Sequence, residues 1–484
     1  MSQSTYIKFE VPSLLKSLSV LKNGRFFYAL FLVGLLALPR PDDLATPSWN
    51  LFLIFLGTIV GIMTQVFPMG AIALLAVSAC AITKTLTIQQ TLSAFSSPIG
   101  WLIFTAFLLA RGFIKTGLGT RIAYHFIQIF GKSTLGLSYS LVFSEVFLSP
   151  ITPSNTARGA GILFPVISSV SQGLGSDPKK KTEKRVGSYL MVLGYQTNVL
   201  TCTLFLTASA CNPLLVQLAK KFGIEISWTS WAMAAGLPGL ISVVLMPLIL
   251  FKIFPPELKK TPEAPKLAQE KLKQMGPIHL KEYFVIGIFA VLLGLWVFGP
   301  SVGIDATSAA LFGVSLMLIF EVLTFDDLLK ESNAWSTFIW MSTLIMICQA
   351  LSDAGVIKWF GGFLGPVSQG VDWPIVLVVL TLLNFFIHYI FASTTAHISA
   401  LFAMLVGVAI AAGSPPALTV LIMAFSSNLC AAITHYGTGP GPVYFGSGYV
   451  SLKDWWAVGG KLGLAHLVVW GVIGPIWWKA IGLW

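Results

Sequence analysis

Residues 150–165 read PITPSNTARGAGILFP, and the cluster Ser154-Asn155-Thr156-Ala157-Arg158 within them decides how the chain folds. A second cluster, Ser393-Thr394-Thr395-Ala396-His397, stands in the run HYIFASTTAHISALFA at residues 388–403. Each is a short polar segment ending on a cationic or titratable residue, set in sequence otherwise apolar enough for a bilayer. Polar groups at that depth are costly and mark a substrate path. Two of them, half a chain apart, point to a transporter built from a repeat.

The surrounding composition agrees. Of 484 residues, 55% are hydrophobic and 10% charged, where a soluble domain carries roughly a quarter charged residues. Apolar runs near the ~20 residues of a spanning helix recur along the chain. The expected fold class is therefore an all-α polytopic membrane protein. The net charge of +11 comes from Lys and Arg gathered in a few connecting segments, the pattern of cytoplasmic loops rather than of a nucleic-acid partner. Cys80, Cys202, Cys211, Cys348 and Cys430 lie in apolar stretches without a C-x-x-C pair. They read as small buried hydrophobes, neither a disulfide framework nor a metal site. Pro39-Arg40-Pro41-Asp42-Asp43 follows the first apolar run where a signal peptide would show small residues for cleavage. The expected location is the cytoplasmic (inner) membrane, multi-pass, with a cytoplasmic N-terminus. An organellar inner membrane remains open.

In chain order, residues 1–25 suit an amphipathic helix on the cytoplasmic face, with Ile7, Phe9, Val11, Leu14, Leu15, Leu18 and Leu21 among basic neighbours. A first unit, 26–254, holds apolar runs at about 26–38, 49–66 and 68–83. Its stretch 97–123 is mixed with Arg111, Lys115 and Arg121 and reads as partly interfacial. Pro150, Pro153, Gly159 and Gly161 break residues 136–170, which suits a re-entrant hairpin tipped at Ser154–Thr156. A helix over 186–219 is broken at Thr207-Ala208-Ser209-Ala210-Cys211-Asn212-Pro213, and a span follows at 231–254. Residues 255–282, rich in Lys, Glu and Pro, form a hydrophilic cytoplasmic linker.

The second unit, 283–484, repeats that order. Spans at 283–299, 305–322 and 335–351 precede a hairpin over 373–412, a broken helix over 417–449 and a last span at 461–480. The break, Thr434-His435-Tyr436-Gly437-Thr438-Gly439-Pro440, shares the T-x5-P spacing of Thr207 and Pro213. The first hairpin is followed by the basic run DPKKKTEKR at 177–185, whereas the flanks of the second (Gly361 to Pro374, Gly413 to Pro416) carry no Lys or Arg. That asymmetry predicts opposite orientations, hence an inverted repeat. The count becomes about 11 transmembrane helices plus two re-entrant hairpins.

At such tips the N–H groups of a half-helix N-terminus face the cavity, and the helix dipole favours negative charge there. Ser, Asn and Thr side chains add neutral donors, so two facing tips would hold the two ends of a small dianion and still release it. The bland alternative is that these hydroxyls only bond helix carbonyls. Two clusters in register, each followed by T-x5-P, argue against it.

SNTARGAG (154–161), FASTTAH (391–397), SSNLCAAITHYGTGPG (426–441) and FGSGYVSLKDWW (445–456) together resemble the divalent anion:sodium symporter (DASS) family over nearly the whole chain. Within it they are most similar to the 2-oxoglutarate/malate translocators and the bacterial citrate/succinate antiporters. The resemblance implies a homodimer whose protomers each move a transport domain against a scaffold domain in elevator fashion. It implies small dicarboxylate substrates, no cofactor and no enzymatic activity. It assigns substrate binding to Ser154, Asn155 and Thr156, to Ser393, Thr394 and Thr395, and to the broken helices through Thr207, Asn212, Pro213, Thr434, Gly439 and Pro440. Thr394 departs from the usual SNT pattern, where Asn is common.

In sodium-coupled members the places of Arg158 and His397 are typically small or neutral, with a sodium ion near each tip. A guanidinium and an imidazole there would replace those ions. The resulting expectation is a sodium-independent dicarboxylate exchanger whose empty site keeps a positive charge. The alternatives are a sodium- or proton-coupled symporter of di- or tricarboxylates on the same fold, and an anion channel. Glu145, Glu321 and Asp353 could relay protons or simply sit at span ends, and His388 reads as a packed histidine. Gly131-Lys132-Ser133-Thr134 lacks the first glycine of a phosphate loop, Phe126 standing in its place, and no H-E-x-x-H occurs.

Overall fold

A computed structural model describes residues 24–356, 359 and 370–484; the expected helix at 7–21 and most of the flank after Gly361 lie outside them. The helices used below are α1 (Gly24–Leu36), α2 (Thr46–Thr64), α3 (Met69–Ile82), α4 (Pro98–Thr116), α5 (Leu118–Phe130), α6 (Thr134–Leu148), α7 (Phe164–Gly173), α8 (Gly187–Leu204), α9 (Cys211–Ala219) and α10 (Trp228–Ile253). After them come α11 (Glu263–Met275), α12 (Leu280–Phe298), α13 (Ala306–Ile319), α14 (Ser332–Asp353), α15 (Trp373–Ile387), α16 (Thr394–Ala411), α17 (Pro416–Leu429), α18 (Gly441–Gly446), α19 (Leu452–Val468) and α20 (Gly474–Ala480). Among the described residues eight helical segments are long and apolar enough to cross a membrane, and five more are apolar but shorter.

The two broken helices form the centre. Every residue of α8 is buried, as is every residue of α17 from Leu418 to Leu429. A helix buried on all faces must satisfy its polar side chains internally. The Tyr195 hydroxyl accordingly donates to the Ala431 and Thr434 carbonyls at 2.6 and 3.0 Å, and Gln196 Nε2 to the Ala432 carbonyl at 2.7 Å. Asn428 Nδ2 donates to Asn212 Oδ1 at 2.8 Å. These bonds tie each broken helix to the break of the other.

Two helical hairpins embrace this pair. In the first, α6 runs to the turn at Ser149–Pro153, and the chain returns through a π-helical turn, Ala157–Leu163, into α7. In the second, α15 and a short 3-10 turn, His388–Ile390, lead to the tip, and α16 returns. The order of hairpin then broken helix occurs twice.

Three sequence expectations change in detail. Residues 97–123 form two helices rather than one partly interfacial stretch, because Gly117 takes a left-handed conformation (φ 75°) that ends α4. The linker 255–282 is not merely a tether: it carries α11, packed on α5 and α7 through Ala264, Ala268 and Leu267. At its end Glu282 accepts from Arg121 Nε and Nη2 at 2.7 and 3.1 Å, both side chains being buried. The third concerns Cys430. All five cysteines are free and buried, but Cys430 lies with His388 and His397 in a cluster of metal-ligating type.

Candidate substrate site between the hairpin tips

Each tip is built by its serine. Ser154 Oγ accepts from the Ala157 amide at 3.1 Å, and Ser393 Oγ accepts from the Ala396 amide at 3.5 Å. The shared S-x-x-A spacing is thus an N-cap. The hydroxyl satisfies one orphan amide of the returning helix arm and leaves that helix end aimed at the space between the tips.

That space is a cavity of about 660 Å³. One wall consists of Ser154, Asn155 and Thr156, Ser393, Thr394 and Thr395, and the break residues Ser209, Cys211, Thr438 and Gly439. The other belongs to α2–α4 and α14, which contribute Gln65, Met69, Phe107, Arg111, Glu331 (just before α14), Asn333, Thr337 and Trp340. Polar tips therefore face a separate helical wall.

The tips are also stitched to the breaks. Asn155 Nδ2 donates to Thr438 Oγ1 at 2.6 Å, and Thr394 Oγ1 donates to the Gly437 carbonyl at 3.2 Å. The Cys211 sulfur and Thr395 hydroxyl are 3.2 Å apart. Gly439 permits the closest approach: a Cβ there would stand 2.0 Å from Thr156 Oγ1.

Of the predicted binding residues, the cavity wall includes Ser154, Asn155, Thr156, Ser393, Thr394, Thr395 and Gly439. The others stand behind it. Thr207 Oγ1 donates to the Pro150 carbonyl at 2.6 Å and accepts from Trp228 Nε1, so it braces the first tip. Asn212 bonds the Cys202 and Phe205 carbonyls across its own break. Pro213 is packed within α9, Thr434 is buried, and Pro440 starts α18.

Arg158 is placed differently from the expectation. Its side chain is fully buried behind the first tip. Nε donates to Glu145 Oε1 at 2.6 Å, and Nη1 donates to the Thr152 and Ala208 carbonyls at 2.6 and 2.9 Å. Asn198 Nδ2 and Thr201 Oγ1 bond the same carboxylate oxygen at 2.7 and 3.3 Å. The guanidinium is therefore neutralised by Glu145, and the unbalanced positive charge expected at the empty site is not supplied by Arg158. Glu145, in the last turn of α6, is its counter-ion. His397 is likewise buried, against His388 and Phe391 with ring centroids 5.1 and 5.3 Å away.

Sequence reading missed a cation that, among the described residues, lines the cavity. Arg111, 40% exposed, lies 3.8 Å from Glu331, and both face the tips. A charged pair spaced 220 residues apart leaves no local signal; Arg111 drew notice only with Lys115 and Arg121, as a mark of a partly interfacial stretch.

Residues 21–484 match the family described as the sodium:sulfate symporter transmembrane region. The chain belongs to this family. Among similar proteins, YflS of Bacillus subtilis (strain 168), provisionally named a malate transporter, is 48% identical over 93% of this chain and 95% of its own length. The chloroplastic dicarboxylate transporter 1 of Spinacia oleracea is 46% identical over 92% of this chain and 79% of its own. Inner membrane protein YbhI of Escherichia coli (strain K12) is 36% identical over 92% and 95%. The crystal structure of the YdaH transporter of Alcanivorax borkumensis matches with a TM-score of 0.60 at 13% identity, covering 90% of this chain and 99% of that one, a likeness of fold alone. As a member of the sodium:sulfate symporter family, the protein is a multi-pass membrane transporter and not an enzyme.

Proposed function

We propose that this protein exchanges C4 and C5 dicarboxylates, such as 2-oxoglutarate, malate, succinate and fumarate, across the membrane without sodium. The observation that carries the proposal is the Arg158 guanidinium. Between a tip and a helix break, backbone carbonyls are the usual ligands of a coupling cation. Here Nη1 of a tethered cation takes the Thr152 carbonyl of the tip and the Ala208 carbonyl of the break. Glu145 balances its charge, so Arg158 replaces a dissolved cation by occupying these carbonyl ligands and not by offering the substrate net positive charge.

The dianion lies between the two tips, one carboxylate at the helix N-terminus capped by Ser154 and the other at that capped by Ser393. Asn155, Thr156, Thr394 and Thr395 add neutral donors. Arg111 draws the anion into the cavity, where the substrate competes with Glu331 for its guanidinium. His397 supports the second tip as Arg158 supports the first. The names of the spinach and Bacillus relatives favour a dicarboxylate over sulfate.

The wall made of tips and breaks is the moving part, and α2, α3, α4 and α14 belong to the scaffold, in an elevator of two inverted repeats. The protein works as a homodimer in the cytoplasmic membrane, with a cytoplasmic N-terminus. Binding is tested by thermal stabilisation of the purified protein. Malate, succinate and 2-oxoglutarate should raise Tm, with loss of the effect in Asn155→Ala. Stabilisation by sulfate, with none by dicarboxylates, would overturn the substrate assignment.

A further inference from the structure

Behind the second tip, three side chains that the transport reading does not bring together converge. His388 stands on the turn that ends the first hairpin arm, His397 on the first turn of the second arm, and Cys430 at the end of α17, where the second helix breaks. All three are fully buried. One ring nitrogen of each histidine and the Cys430 sulfur lie within 4.8 Å of one another.

Their hydrogen bonding leaves lone pairs over. His388 Nε2 lies 3.1 Å from the Gly437 carbonyl, which can only accept, so Nε2 carries the proton and Nδ1 keeps its lone pair. Nδ1 has no partner, and neither has His397 Nε2; the other nitrogen of His397, Nδ1, lies 3.5 Å from the Cys430 sulfur, which also donates to the Ser427 carbonyl at 3.1 Å. Two nitrogens of this kind, buried without partners, are costly unless something occupies the space they face. Fixing one ring nitrogen on a backbone carbonyl so that the other presents its lone pair is also how proteins orient metal-binding histidines.

The donor set selects the ion. Two imidazoles and a thiol suit a soft or borderline metal and give nothing to calcium or magnesium. No carboxylate belongs to the trio, so charge decides within that class. A divalent ion on one thiolate leaves a net positive charge in a dry interior, whereas a monovalent ion leaves none. Metal bonds of about 2.0–2.3 Å set donors about 3.5 Å apart. The three donor atoms, within 4.8 Å of one another, would draw together on binding.

We propose that His388, His397 and Cys430 form a binding site for a monovalent soft cation of the cuprous or silver class. On binding, the Cys430 S–H bond breaks, the sulfur's electron pair goes to the metal and the proton leaves to solvent; no electron is transferred. Because the ligands come from both arms of the hairpin and from the helix break, the ion fastens the second tip to that break.

The test uses the purified full chain, anaerobic and reduced, titrated with cuprous ion against a chromogenic cuprous chelator. Wild type should take up one tight equivalent and show a rise in Tm with silver. Cys430→Ala should lose the equivalent. His388→Gln keeps an N–H for the Gly437 carbonyl but offers no imidazole, and should bind at least about a hundredfold more weakly, beyond what loss of an outer-shell partner costs. Both variants should run as monodisperse protein on size exclusion, which separates lost ligands from lost folding. The proposal fails if His388→Gln binds as wild type does, since a thiol alone is then responsible. It fails equally if Cys211→Ala, at the cavity, removes the equivalent instead, if zinc is preferred to cuprous ion, or if no equivalent binds.

Discussion

Neutralising Glu145 should unfold the first hairpin more readily than removing the whole ion pair. Glu145 Oε1 accepts from Arg158, Asn198 and Thr201, and both charged side chains are 0% exposed. Glu145→Gln keeps the shape and one acceptor oxygen but leaves a guanidinium uncompensated in a dry interior. Breaking a buried pair in this way costs about 3–5 kcal/mol. Arg158→Met leaves the carboxylate unpaired and should cost a similar amount. Replacing both charges restores neutrality, and such exchanges are often close to neutral in stability. The Glu145→Gln/Arg158→Met double variant should therefore recover most of the loss, so that the coupling energy approaches the sum of the two single penalties, about 6–10 kcal/mol, well beyond the usual range of roughly 0.5–3 kcal/mol for residues in contact. It should still fail to transport, because the Thr152 and Ala208 carbonyls have lost their shared donor. Equilibrium unfolding in mixed micelles, followed by tryptophan fluorescence, supplies the three differences. Single variants within about 0.5 kcal/mol of wild type, or penalties that add, would refute a mutually compensating buried pair.

Gly439→Ala should abolish uptake, since its Cβ would collide with Thr156 Oγ1; combining it with Thr156→Ala should return part of the rate in a transport assay. Asn155→Ala should raise the KM for dicarboxylate by about tenfold, the cost of one lost bond to a charged group, read from initial uptake rates. Arg111→Gln should weaken apparent affinity severalfold at low salt and less at high salt, because the interaction of a partly exposed charge is screened. Outside the membrane, a hydrogen bond from Lys115 holds the Asp327 carboxyl well below its ordinary value. A depressed carboxylate stabilises the fold above its unfolded-state pKa, near 4, and that stability is lost as pH falls through the lower folded value. Asp327→Asn should accordingly lower Tm at neutral pH, and the difference should close in strong acid.

Much of the architecture was legible because membrane burial leaves a plain record. The S-x-x-A clusters marked both tips, and T-x5-P marked both breaks. Even the tip serines carry local information, each capping the amide three residues on. What escaped were partners distant in sequence. Glu145 meets Arg158 only because the hairpin folds α6 back along the arm that carries it, and nothing in their spacing of 13 shows this. Arg111 and Glu331 meet on one wall of the cavity from helices far apart in sequence, and His388, His397 and Cys430 gather from two arms and a break. The helix α11 was hidden for another reason. Its Lys and Glu gave a hydrophilic composition, while its small apolar face, Ala264 and Ala268, carries the period of a packed helix.

The most direct test of the central claim is uptake of labelled 2-oxoglutarate by proteoliposomes loaded with malate or with buffer, each with sodium or with choline in its place. If Arg158 fills the cation's place, uptake should occur only into malate-loaded vesicles and at the same rate in choline as in sodium. Uptake into buffer-loaded vesicles that follows an inward sodium gradient would contradict the account.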